Sequence, residues 1–134
     1  MAANIESIDT NLIVRIITGD VPDLRERAIR LLSDDTILYY VDDIAISESV
    51  YVLTHVYRYT RPEVAERILG FLSIATVKVD EQLFADVFEM FLKYPSLSFN
   101  DCYLSVKSAR LGVEPLWTFD KKFATHSPTA KLLK

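Results

Sequence analysis

Cysteine, histidine and glycine are scarce in this 134-residue chain, with one, two and three copies respectively. One cysteine, Cys102, cannot form an intrachain disulfide, so a cytoplasmic home is expected. Two histidines, His55 and His126, and that cysteine make no His/Cys cluster of the kind that holds zinc. No apolar run approaches the ~20 residues needed to span a bilayer, so no membrane partner is expected. The start, MAANIESIDT, lacks the basic and apolar stretches of a secretory signal. A basic excess is missing too: the net charge is −4, so no global field favours nonspecific nucleic-acid binding. Low-complexity stretches, internal repeats and linkers are absent, which predicts one domain over 1–134.

What is present is an alternation of short β-rich and longer amphipathic stretches. NIESI reads as a strand ending at Asp9, followed by the helical TNLIVRIIT, which stops at Gly19. A second helix covers VPDLRERAIRLLSDD, with Pro22 near its start and Leu24, Ala28, Leu31 and Leu32 on one face. TILYYV reads as a buried strand. The long apolar segment DIAISESVYVLTHVYRY reads as a helix capped by Asp42 or Asp43 and broken at Arg61-Pro62. Helix PEVAERILGFLSIA, strand TVKV and helix DEQLFADVFEMFLKY follow. Next come helix SFNDCYLSVKSARLG, capped by Ser98 and ended by Gly112, strand PLWTF and a last edge strand TAKLL. This order predicts an α/β fold: a central parallel sheet of four to five short strands with helices on both faces. Sites in such sheets form beyond the carboxyl ends of the strands, where Asp9 and Asp120 both fall.

Four acids stand out. Asp9 and Asp120 read equally as helix caps or as site acids, and Asp101 sits where an acid favours the helix dipole after Ser98. Glu48 is the only acid from Ile44 to Pro62, in a helix apolar nearly all round. Such a carboxylate is expected to face a polar cavity, a metal or a basic partner. If the four converge, the pocket is too negative to stand without a cation, which points to a hard divalent ion and phosphate chemistry.

These motifs, IDTNLIVRIITGD, the ISESVYVL helix, FNDCYLSVKSARLG and LWTFDKKF, resemble the PIN-domain ribonucleases along essentially the whole chain. Within them the likeness is nearest to the VapC-type toxins of toxin–antitoxin pairs. The resemblance implies a single PIN-like domain acting as a Mg²⁺- or Mn²⁺-dependent endoribonuclease, with Asp9, Glu48, Asp101 and Asp120 as its acids. It further implies an RNA substrate, a homodimer and a small antitoxin protein that covers the site. In the family it resembles, the position matched by Asp120 is the most variable of the four, and the resemblance makes Asn11 and Thr118 supporting polar positions. Asp9 and Asp101 are expected as inner metal ligands, with Glu48 and Asp120 completing the site directly or through water. Oxygen ligands suit both ions, and Mg²⁺ keeps several waters, so two or three direct carboxylates suffice.

Other residues carry weaker expectations. Arg15, Lys107, Lys121 and Lys122 read either as phosphate contacts or as solvated surface charge. His55 is expected to be packed, His126 exposed and Cys102 buried. Among Tyr39, Tyr40, Tyr51, Tyr57 and Tyr59, spacing makes most core or interface residues, though base stacking stays open. Phe84, Phe88, Phe91 and Leu92 form the apolar stripe of a helix. Two other function classes remain. A non-catalytic PIN-like module would bind RNA or protein without cleaving. A metal-dependent phosphatase or phosphotransferase would use Asp9 as nucleophile. Against the second, the dehalogenase-like Asp-x-Asp pattern has Asn11 at its third position, and the acid pair of a receiver domain is absent.

Overall fold

The computed structural model describes residues 4–134. Its elements run β1 (Asn4–Ile8), α1 (Thr10–Thr18), α2 (Pro22–Leu32), β2 (Ile37–Val41), α3 (Asp43–His55), α4 (Arg61–Leu72), β3 (Val77–Lys78), α5 (Glu81–Lys93), α6 (Phe99–Leu111), β4 (Leu116–Thr118), α7 (Lys121–His126) and β5 (Ala130–Leu132). The class is α/β and every strand pairing is parallel, as expected. The five strands are divided between a three-stranded sheet of order β1-β2-β3 and a two-stranded sheet β4-β5. The contacts divide the chain into two compact units, Met1–Glu81 and Gln82–Lys134.

In the first unit, β2 is the middle strand, with Asn4 to Ile8 of β1 in register with Ile37 to Val41. Tyr39 and Val41 turn into the core, while Tyr40 is 43% exposed, so this strand is buried on one face and not on both. Helix α1 begins where Asp9 caps it and stops at Gly19, whose φ of 62° suits a residue without a Cβ. It packs on α2, α3 and α4. The core is mostly aliphatic: Ile13, Ile46, Leu53, Val64, Ile68 and Leu72 are all nearly solvent-free. At about 1.5–3 kcal/mol per fully buried large apolar side chain, this layer is the main source of the unit's stability. Thr60 and Glu63 close α4 with a reciprocal capping box.

Helix α3 departs from the sequence expectation in two ways. It ends at His55, before the Arg61-Pro62 break, and its chain turns through Arg58 at φ 61°. It is also not apolar-packed all round. Ala45, Ile46, Ser49, Val50 and Leu53 are buried, but Ile44 and Tyr51 are 67% and 62% exposed and Glu48 lies on that open side. Residues 44, 48, 51 and 55 follow the spacing of one helix face, so Glu48 has solvent access where burial was expected.

The second unit is held by rings. Phe88 meets Phe91 and Phe99 at centroid distances of 5.7 and 5.2 Å, and Phe84 meets Tyr103 edge-on at 6.0 Å. These offset and edge geometries are the favourable ones for aromatic quadrupoles. Cys102 is fully buried, as expected, whereas Leu92 of the predicted stripe is 45% exposed. Ser98 caps α6, and Gly112 ends it at φ 68°. Strands β4 and β5 pair in register from Leu116↔Ala130 to Thr118↔Leu132.

Candidate active site

In the first unit, Asp9 follows β1 directly, beyond the carboxyl end of a parallel strand. Its Oδ1 accepts the Leu12 N–H at 3.1 Å, which is the cap geometry. Capping occupies one carboxylate oxygen and leaves Oδ2 outside that bond, so the cap and ligand readings are compatible. The neighbouring Thr10 Oγ1 donates to Glu48 Oε2 at 2.8 Å, tying α1 to α3 across 38 positions of sequence. Asp9, Thr10, Asn11, Arg15, Glu48 and Tyr57 line one open cavity of about 400 Å³ together with Val14, Val52 and Val56. A second cavity of about 360 Å³ lies on the other side of Asp9, Asn11 and Arg15, against Leu24, Arg27, Ala28 and Leu31.

A charged cluster fixes the wall of the first cavity, and sequence reading missed it. Asp20 accepts from Tyr57 Oη, from Arg15 Nη1 at 2.7 Å and from Thr18 Oγ1 at 3.0 Å. Tyr57 first, then Arg15, pulls the Asp20 carboxyl down to about 2. The hydrogen bond to Asp20 in turn raises the Tyr57 hydroxyl, and Asp20 raises Arg15. Arg15 was expected either on a phosphate or in solvent; Asp20 instead holds its Nη1, and its Nε is buried with no hydrogen-bond partner among the described residues. The available signal was the acid placed directly after the helix-ending Gly19, within reach of a basic residue in the last turn.

In the second unit, the Ser98 hydroxyl accepts the Asp101 N–H at 3.1 Å, placing Asp101 half-buried in the first turn of α6. Asp120 caps α7 by accepting the Phe123 N–H at 3.1 Å, and its own N–H goes to Thr118 Oγ1 at 2.9 Å. Thr118 thus sets the Asp120 backbone. Ser105 of α6 is buried and bonds Ser127 at 2.6 Å. His55 is exposed and stacks on Tyr51 at 4.2 Å, a correction to the packed histidine expected. His126, expected exposed, is half-buried and stacks on Tyr94 at 4.8 Å.

A family model of the PIN domain matches residues 7–127, spanning both units and all four candidate acids. The chain belongs to the PIN-domain family. No curated protein matches it at a significant level. PIN domains have a nuclease-type fold and typically use divalent metals. The donors of the first unit fit such an ion: carboxylates, a threonine hydroxyl and an asparagine amide are hard oxygen ligands. Among the described residues, no three His, Cys, Asp or Glu side chains gather as a metal cluster. Within this PIN domain no described helix is long and apolar enough to cross a membrane.

Proposed function

We propose that this PIN domain is a Mg²⁺- or Mn²⁺-dependent endoribonuclease, with Asp9, Glu48, Asp101 and Asp120 as its acids. The observation that carries the reading is the shared cavity of Asp9 and Glu48 at the end of β1, linked through Thr10, in a chain of a nuclease family. Asp9 and Asp101 act as the inner ligands, and Glu48 and Asp120 complete the centre directly or through water. A bound divalent ion would supply an activated water and neutralise charge developing at phosphorus. The chain's own groups do the rest. Thr10 holds the Glu48 carboxylate in one rotamer, and the Asp9 and Asp120 caps fix their carboxylates to helix starts. The Asp20–Arg15–Tyr57 cluster keeps the cavity wall rigid. The family match runs through both units as one span, which supports a single nuclease domain over 1–134.

The same reading makes the protein the toxin of a type II toxin–antitoxin pair, cytoplasmic, homodimeric and restrained by a small antitoxin over the site. On the open side of α3, Ile44, Tyr51 and neighbouring Val56, the last 66% exposed, stand beside Glu48 and support a protein contact there.

Cleavage of labelled RNA with and without Mn²⁺ tests the activity. Asp9→Asn and Asp101→Asn are expected to cut the rate by at least about 100-fold, since even indirect metal partners cost 10–100-fold when removed. Equal cleavage by wild type and both variants would overturn the reading. Metal-independent RNA binding with no cleavage would establish the non-catalytic module instead. Mn²⁺ is also expected to raise the Tm of the wild type more than that of Asp9→Asn.

A further inference from the structure

The β4–β5 pair is two-faced. Leu116, Thr118, Ala130 and Leu132 point one way and are half-buried, while Trp117 and Lys131 point the other way and are exposed. Trp117 and Lys131 are register partners, and the Lys131 ammonium sits 5.3 Å from the Trp117 ring centroid. Two residues beyond Trp117 comes Phe119, which is 79% exposed, the most open large apolar side chain among the described residues. Trp117 is itself 54% exposed. Asp120, Lys121 and Lys122 follow at once, the two lysines exposed.

We infer that Trp117, Phe119 and Lys131 form a stacking platform for the bases of single-stranded RNA, beside Asp120. The inference rests on the RNA reading above and adds the surface that grips the strand. A wholly apolar partner would not account for the cations. Lys131 lies on the indole, and Lys121 and Lys122 flank Asp120, in a chain whose net charge is −4. Flat π-faces interleaved with positive charge match a ligand that alternates rings and phosphates. Duplex RNA keeps its rings stacked inside the helix and offers none to such a platform.

Trp117 is the only tryptophan, so its emission reports on this surface alone. The wild-type chain in EDTA, titrated with an oligouridylate of about 12 nucleotides, is expected to show saturable quenching; roughly 4–16 nucleotides occupy comparable single-strand surfaces. A duplex RNA of the same length is expected to leave the emission unchanged. Phe119→Ala, with its fold checked by circular dichroism, is expected to weaken binding about tenfold, as loss of one stacked base does. Lys131→Gln is expected to lower the slope of log affinity against log salt by about 0.7. Absence of quenching, or unchanged affinity in Phe119→Ala, would overturn the platform. So would a shift of the emission with protein concentration that Phe119→Ala abolishes, which would make this face a contact between protein chains. Cleavage with Mn²⁺ but no quenching sinks the platform and leaves the nuclease standing; quenching in EDTA but no cleavage with Mn²⁺ does the reverse.

Discussion

The two units hold their candidate acids by different means. In Met1–Glu81, Glu48 is fixed by a side-chain bond from Thr10, 38 positions away, and shares a cavity with Asp9. In Gln82–Lys134, Asp101 and Asp120 are placed by bonds no more than three residues long, to Ser98, Thr118 and Phe123. The cores differ as well. Aliphatic side chains such as Ile46, Leu53 and Ile68 fill the first, while Phe84, Phe88, Phe91 and Phe99 dominate the second. The lesson is that a carboxylate can be aimed locally, by caps whose geometry a helix start imposes, or tertiarily, by packing two helices until their side chains meet.

Core truncation gives the largest effect. Phe88→Ala is expected to cost about 3–5 kcal/mol and Leu53→Ala about 2–5, because each leaves a cavity in a fully buried site. Denaturant melts followed by Trp117 emission and by far-UV dichroism sharpen the contrast. If Phe88→Ala separates the two signals and Leu53→Ala does not, the units differ in cooperativity; coincident curves for both would erase that difference.

The Thr10–Glu48 link is the next discriminator. Thr10→Val is expected to lower metal-dependent cleavage by about tenfold, as loss of an orienting partner does, with a stability change within roughly 0.5–1.5 kcal/mol. Ser98→Ala removes a local cap and is expected to cost about 1 kcal/mol. Should Thr10→Val leave kcat untouched, the tertiary bond would be structural only, and the contrast between the units would lose its functional side.

The smallest effect is the pH dependence of the Asp20 cluster. The Asp20 carboxyl is lowered from 3.8 to about 2 in the folded chain, so folding favours its charged form. Its contribution is therefore complete above about 3.8 and disappears as pH falls through about 2. The Tm difference between wild type and Asp20→Asn is expected to be present at neutral pH and to shrink across that interval. A difference that grows on acidification would contradict the assignment.

Much of this was readable from residues alone, and for one reason. The Asp9, Ser98 and Asp120 caps and the Gly19 and Gly112 stops depend on groups within a few positions of each other, so the local pattern contains them. The exposed side of α3 was not readable, because an apolar stretch does not say which of its faces a neighbour will cover. Nor was the bond between Asp20 and Tyr57, whose positions are 37 apart. The sequence by itself determined the helix starts that caps mark, the stops at Gly19 and Gly112, that the class is α/β, and which acids stand at those starts. The tertiary structure alone decided that Glu48 meets Thr10, that Arg15 is engaged by Asp20, and that Trp117 lies under Lys131. Capping and periodicity are set by neighbours along the chain, whereas partners across space are chosen only when packing brings elements together.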